Sequence, residues 1–151
     1  MTERGAILVI GYGNTQRGDD GIGPRVAEAI AAAHLPGVRV VSSFQLVPEL
    51  AADLAESRLA VFVHAVADPT RSDIELRPIA PAETTDWSTH TADPRVLLAL
   101  TQAVYGHAPA AWWATVPGCD FDFGERLSPL AKEGVRRAVD RIMALLCPHL
   151  Q

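Results

Sequence analysis

The sequence predicts an α/β fold: a three-layer, mostly parallel twisted sheet of about five strands with helices on both faces. Three observations lead there. Short apolar runs alternate with helical stripes along the whole of the 151 residues. Most of those runs are continuous rather than alternating, as strands buried on both faces require. The first run ends in a glycine-rich turn that opens straight into a helix. Strand–helix alternation of this kind folds as parallel strands with crossover helices. One edge strand, the one that alternates with charge, is free to run antiparallel.

Each element has its own local reason. Ala6–Ile10 is a five-residue apolar run, short enough for a buried strand. From Gly21 to His34, Ile22, Val26, Ala29, Ile30 and Ala33 form a helical stripe, with Pro24 in the first turn where a missing N–H costs little. Pro36-Gly37 ends that helix, and Val38–Ser42 reads as the second strand. Leu46–Glu56 reads as a helix with Leu46, Leu50 and Leu54 turned inward, followed by a buried strand over Leu59–Val66. Asp73–Ile79 alternates and reads as the edge strand. Asp93-Pro94 opens a helix to Tyr105, with a capping side chain followed by proline at the first helical position. Ala111–Val116 is a further strand, and Ser128–Leu146 a closing helix that stops before Pro148. In a sheet of this kind ligands bind at the carboxyl ends of the strands. The loops after Ile10, Val63 and Val116 are therefore expected on one rim.

Composition narrows the function. Hydrophobic residues make up 48% of the chain and charged residues 21%, enough for one ordinary core, so residues 1–151 are expected to form a single domain. The net charge of -5, without a basic run, argues against nucleic-acid partners. Cys119 and Cys147 lie far apart and suggest neither a disulfide framework nor a zinc knuckle. The first apolar stretch is too short for a signal peptide, and nothing approaches the roughly 20 residues of a membrane span. A soluble, cytoplasmic, monomeric protein is expected.

The chemistry concentrates in ILVIGYGNTQRGDDGIG, from Ile7 to Gly23. Gly13 and Gly18 stand at the spacing of a phosphate-binding loop, yet Asp19 and Asp20 occupy the place of its lysine. Two carboxylates repel phosphate. The dinucleotide fingerprint fails as well, because Gln16 stands where its third glycine belongs. One aspartate of the pair can serve the positive end of the following helix. The other, at the ligand rim, suggests a cation.

Among the five histidines, His34, His107 and His149 need only surface roles. His64 lies near the end of a strand in AVFVHAVAD, among neighbours with no use for a polar group, and is either a core histidine bonded to backbone or a ligand. His90, in WSTHTADP, precedes a helix and is either a capping, exposed residue or a ligand. Asp20, His64 and His90 together offer one carboxylate and two imidazoles, a donor set suited to a divalent transition metal. Both imidazoles must be neutral to ligate, so metal affinity is expected to fall from pH 7 to pH 5.

Here the residues resemble a known family, the hydrogenase maturation endopeptidases, which remove a C-terminal peptide from the nickel-loaded large subunit of nickel–iron hydrogenases. ILVIGYGNTQRGDDGIGPRVAEAI resembles the family's opening of strand, G-x-G-N, acidic pair, Gly-x-Gly and helix. QLVPEL (Gln45–Leu50) and VPGCDFDFGERLSP (Val116–Pro129) resemble later stretches of one branch. The resemblance implies metal ligands at Asp20, His64 and His90, with Asp20 and His90 at the reacting centre. It implies nickel supplied by the substrate's own active site, and the hydrogenase large-subunit precursor as partner. At position 64 the family carries aspartate, so His64 is a departure: imidazole keeps the donor count but one negative charge is lost. Asp68 reaches the site only if the chain turns back after the strand, which Pro69 allows. Cys119 is the candidate thiol nucleophile, its plainer role being that of a loop residue. Neither H-E-x-x-H nor G-x-S-x-G occurs. Two other readings stand beside the endopeptidase: a factor that binds nickel-loaded precursor without cutting it, and a small-ligand or nucleotide-binding module.

Overall fold

The computed structural model describes residues 5–90 and 92–150. Strand β1 (Ala6–Tyr12) leads through a 3-10 turn (Gly18–Gly21) into helix α1 (Ile22–Ala32). Then follow β2 (Val38–Ser43), α2 (Leu50–Ala55), β3 (Ser57–Val66) and β4 (Glu75–Ile79). After a second 3-10 turn (Trp87–Thr89) come α3 (Pro94–Tyr105), β5 (Ala110–Pro117) and α4 (Pro129–Leu146). The sheet order is β2-β1-β3-β5-β4. The pairs β1–β2, β1–β3 and β3–β5 are parallel, and β4 runs antiparallel to β5. The expected architecture is therefore present, including the antiparallel edge.

Alternation along the buried strands splits the core in two. Ile7 and Val9 of β1, Val61 and Val63 of β3, and Ala114 and Val116 of β5 face Ile22, Val26 and Ile30 of α1 and Ala138 and Ile142 of α4. Leu8, Ile10 and Tyr12, with Ala60 and Phe62, face Leu50 and Leu54 of α2 and Leu97 and Leu98 of α3. The caps read from sequence form as expected: Asp93 accepts from the Arg95 N–H at 2.9 Å, and Ser128 from the Ala131 N–H at 3.1 Å. Pro78 sits inside β4, which an edge strand tolerates when the missing N–H faces solvent, and it blunts that edge against further pairing.

Two boundaries differ in an informative way. β1 continues past Ile10 through Gly11 and Tyr12, because Gly11 lets α1 pack directly on the strand: a Cβ there would strike the Gly23 carbonyl. The second helix begins at Leu50 rather than Leu46. Gln45 and Leu46 belong instead to a loop at the carboxyl rim, although Leu46, Leu50 and Leu54 are all buried as expected.

Candidate functional site

The two adjacent aspartates divide their labour. Asp19 has no solvent exposure and caps nothing in α1, whose N-cap Gly21 receives no side-chain hydrogen bond. Its carboxylate reaches across to the loop between β5 and α4. Oδ2 accepts from the backbone N–H of Cys119 at 2.8 Å and of Asp120 at 3.1 Å, and from the Ser128 hydroxyl at 2.6 Å. Oδ1 accepts from the Ser128 N–H at 2.8 Å. Burial by itself would raise this pKa. The Ser128 hydroxyl and the three N–H groups outweigh burial and hold Asp19 below the usual carboxylate value. Backbone bonds complete the seam: Gly18 N–H to Gly124 O at 2.8 Å, Asp19 N–H to Asp120 O at 2.8 Å, and Gly124 N–H to Gln16 O at 2.8 Å. Gly18 can make this turn because it carries φ +54 and a Cβ would meet the Asp120 carbonyl.

Asp20 is left for the rim. Its Oδ2 accepts the Asn14 N–H at 2.7 Å, which fixes the carboxylate against the loop after β1. It lines a cavity of about 340 Å³ together with Tyr12, Arg17, Gln45, His64 and Ala92. Asp20 and His64 thus share one space at the carboxyl ends of β1 and β3, as the rim argument expects.

His64 is held by rings. Tyr12 stacks on it at 4.7 Å between centroids and 10° between planes, and Trp113 stacks at 5.6 Å and 14°. Arg77 lies 5.7 Å over the Trp113 ring, so one stack crosses β4, β5, β3 and β1 in turn. Among the described residues neither His64 Nε2 nor Trp113 Nε1 has a hydrogen-bond partner within bonding distance, although both are buried. Burial lowers the His64 pKa to about 4, with Asp20 raising it and Arg71 lowering it. Burial likewise pushes the Tyr12 phenol well above its usual value, so it remains a hydrogen-bond donor; the hydroxyl lies 3.5 Å from the Ala92 carbonyl.

The lowered pKa bears on the pH dependence both of metal affinity and of folding. With its pKa lowered to about 4, His64 offers little proton competition between pH 7 and pH 5, which bears on the expected fall in metal affinity. The same shift makes folding acid-sensitive. An unfolded histidine titrates near 6.5 and the folded one near about 4, so the unfolded chain takes up its proton first as pH falls. The stability held by this neutral imidazole is complete above about pH 6.5 and is lost on the way down to about pH 4, ~3 kcal/mol in all. Asp19, with its depressed pKa, adds a further loss below the ordinary carboxylate range. Denaturant midpoints measured from pH 7 to pH 4 should decline accordingly, and His64→Gln should flatten the upper part of that decline.

His90 stands elsewhere. It is exposed and lines a separate cavity of about 530 Å³ with Arg77, Glu83, Asp93 and Arg95. Ala92 lines the first cavity and His90 and Asp93 the second. Among the described residues no three His, Cys, Asp or Glu side chains gather as a metal site. Of the three expected donors, Asp20 and His64 line one cavity and His90 lines the other. The physical reason is the turn before α3: the Asp86 side chain caps Trp87–Thr89, and His90 N–H bonds back to the Trp87 carbonyl at 3.2 Å.

Asp68 does not turn back to the site. Its Oδ1 accepts from the Thr70 N–H at 3.0 Å and hydroxyl at 2.6 Å, closing its own turn before Arg71. Cys119 is exposed, outside the lining of the Asp20 cavity, and contributes its N–H to Asp19. Sequence reasoning missed the flanking rings of Tyr12 and Trp113, and also Arg17. The aromatic residues at the ends of β1 and in β5 were the available signal.

No family model matches the sequence, and no match was found among curated proteins. Solved structures do match. The [NiFe] hydrogenase maturation protease HycI from Thermococcus kodakarensis is 24% identical, with TM-score 0.71 over 96% of this chain and 94% of that one. The hydrogenase maturating endopeptidase HybD from E. coli is 19% identical, with TM-score 0.75 over 95% and 93%. The maturation protease HybD from Thermococcus kodakarensis is 18% identical, with TM-score 0.69 over 93% and 98%. At such identities the likeness is one of fold, and it extends over nearly the whole of both chains: this chain has the fold of the hydrogenase maturation proteases.

Proposed function

We propose that this chain is an endopeptidase of hydrogenase maturation, which recognises nickel in the immature large subunit of a nickel–iron hydrogenase and cleaves off its C-terminal peptide. The observation that carries this reading is the pairing of Asp20 and His64 in one rim cavity, on a fold shared with solved maturation proteases. The nickel belongs to the substrate. Asp20 supplies a carboxylate already oriented by Asn14, and His64 a neutral imidazole clamped between two rings. His90 is the third donor of the proposal. With Asp20 and His90 on the metal, the scissile bond of the precursor is held beside it. The protein acts as a soluble monomer of the cytoplasm. No helix among the described residues is long and apolar enough to cross a membrane.

The test is incubation with nickel-loaded precursor, followed by mass spectrometry of the large subunit. Loss of a C-terminal peptide is expected. Asp20→Asn keeps an acceptor for the Asn14 N–H and so should stay within about 1 kcal/mol of the wild-type stability. It removes the cavity's carboxylate and should slow cleavage by at least about 100-fold. An uncut large subunit at saturating wild-type protein would defeat the endopeptidase reading. Tight binding without cleavage would instead favour a non-cleaving maturation factor, the alternative raised by His64 standing where the family carries aspartate.

A further inference from the structure

We propose that Arg17 is the specificity-determining residue of this cavity, its guanidinium receiving a carboxylate of the polypeptide being processed. This rests on the endopeptidase reading and adds to it the charge of the segment that enters. Among the described residues Arg17 is the only cationic side chain lining the Asp20–His64 cavity. Among the described residues its guanidinium makes neither an ion pair nor a hydrogen bond. By contrast Arg39, Arg95, Arg136 and Arg137 pair with carboxylates, and Arg25, Arg58 and Arg71 donate to carbonyls. Asp20, in the same cavity, does not neutralise it; that carboxylate is engaged by the Asn14 N–H.

The unused cation is also held in place. Arg17 lies over the Phe123 ring at 4.7 Å from its centroid. The backbone beneath is fixed from both loops, by Arg17 N–H to Asn14 O at 3.1 Å and by the bridge between Arg17 and Gly124. A guanidinium resting on an aromatic face gives up little rotamer freedom when it takes a carboxylate, and its fork suits that planar anion. The surroundings fit a polypeptide rather than a free ion. Phe123 is 79% exposed and Phe44, which lines the same cavity, is 64% exposed. An arginine stacked on one solvent-facing phenylalanine, with a second at the same cavity, has the composition of an interface anchor. A chain crossing the mouth would set an apolar side chain against these rings and a carboxylate on Arg17, while its metal centre meets Asp20 and His64.

The experiment is steady-state cleavage of nickel-loaded precursor by wild type, Arg17→Lys and Arg17→Gln at low and high salt. Arg17→Gln should raise KM about tenfold with kcat within about twofold, the loss of one charge-assisted pair. Arg17→Lys should fall between. Raising the salt should raise the wild-type KM and leave that of Arg17→Gln nearly constant. Arg17→Glu should recover when one precursor carboxylate, found by scanning, is replaced by lysine. An unchanged KM in Arg17→Gln, or a loss confined to kcat, would overturn the proposal. If wild type leaves the precursor uncut, the endopeptidase reading falls and Arg17 is judged on binding: a Kd about tenfold weaker in Arg17→Gln supports its role, and an equal Kd overturns it.

Discussion

Replacing Asp19 by alanine is expected to remove about 3–5 kcal/mol of folding stability, a large part of what a domain this size possesses. The carboxylate is fully buried and satisfies three backbone N–H groups and one hydroxyl, all from residues about a hundred positions away. Without it, those donors stay buried unpaired or the β5–α4 loop must open to water. Asp19→Asn should be milder, since one amide oxygen still accepts, but its NH2 then faces N–H donors and cannot replace the second oxygen. Ser128→Ala loses a hydroxyl that serves both as α4 cap and as Asp19 partner, and should cost about 1–2 kcal/mol. Urea midpoints order the three variants. If Asp19→Ala costs less than Ser128→Ala, the carboxylate is not the centre of this seam. Proteolysis inside residues 118–128, faster in Asp19→Ala, would place the damage in the loop itself.

Substituting His64 by aspartate should give the second large effect, with opposite signs for stability and metal response. In metal-free buffer the variant exchanges a stacked imidazole for a carboxylate between Tyr12 and Trp113, beside the charge of Asp20. Lost packing, desolvation and like-charge repulsion together should cost about 2–4 kcal/mol, and the new carboxyl should titrate above its ordinary value. Added nickel reverses the balance, because two carboxylates now face a dication. The variant should therefore gain more from nickel than wild type does, and should cleave nickel-loaded precursor at least as well. Thermal midpoints with and without nickel, together with a cleavage time course, separate these effects. Loss of cleavage in His64→Asp alongside retention in His64→Ala would remove position 64 from the set of metal donors.

What could be read from the sequence tracks the range of the interactions involved. β1, α1 and the capped starts of α3 and α4 follow from apolar spacing and from residues within one turn of each other, and they fold where expected. The rim placement of Asp20 and His64 follows from parallel-sheet topology. Asp19 was legible only as one member of an acidic pair, since its partners at Cys119, Asp120 and Ser128 become neighbours through the tertiary fold. His90 was legible as a residue preceding α3. Which cavity it enters depends on how Asp86 and Trp87 wind the preceding turn, and ligand spacing carries no information about that. Leu46 illustrates a subtler limit. Its apolar spacing with Leu50 and Leu54 is helical, yet a residue can be buried at that spacing while the backbone before Pro48 remains a loop.

The stack of Tyr12, His64 and Trp113 gives the cavity an optical handle. An indole emits differently beside a neutral imidazole, a protonated one and one bound to a metal, and Trp113 lies 5.6 Å from His64 at nearly parallel planes. Occupancy of the cavity therefore writes itself into the fluorescence of the unlabelled protein. Once Trp87 and Trp112 are replaced by phenylalanine, a single tryptophan remains to follow precursor arrival and departure in real time.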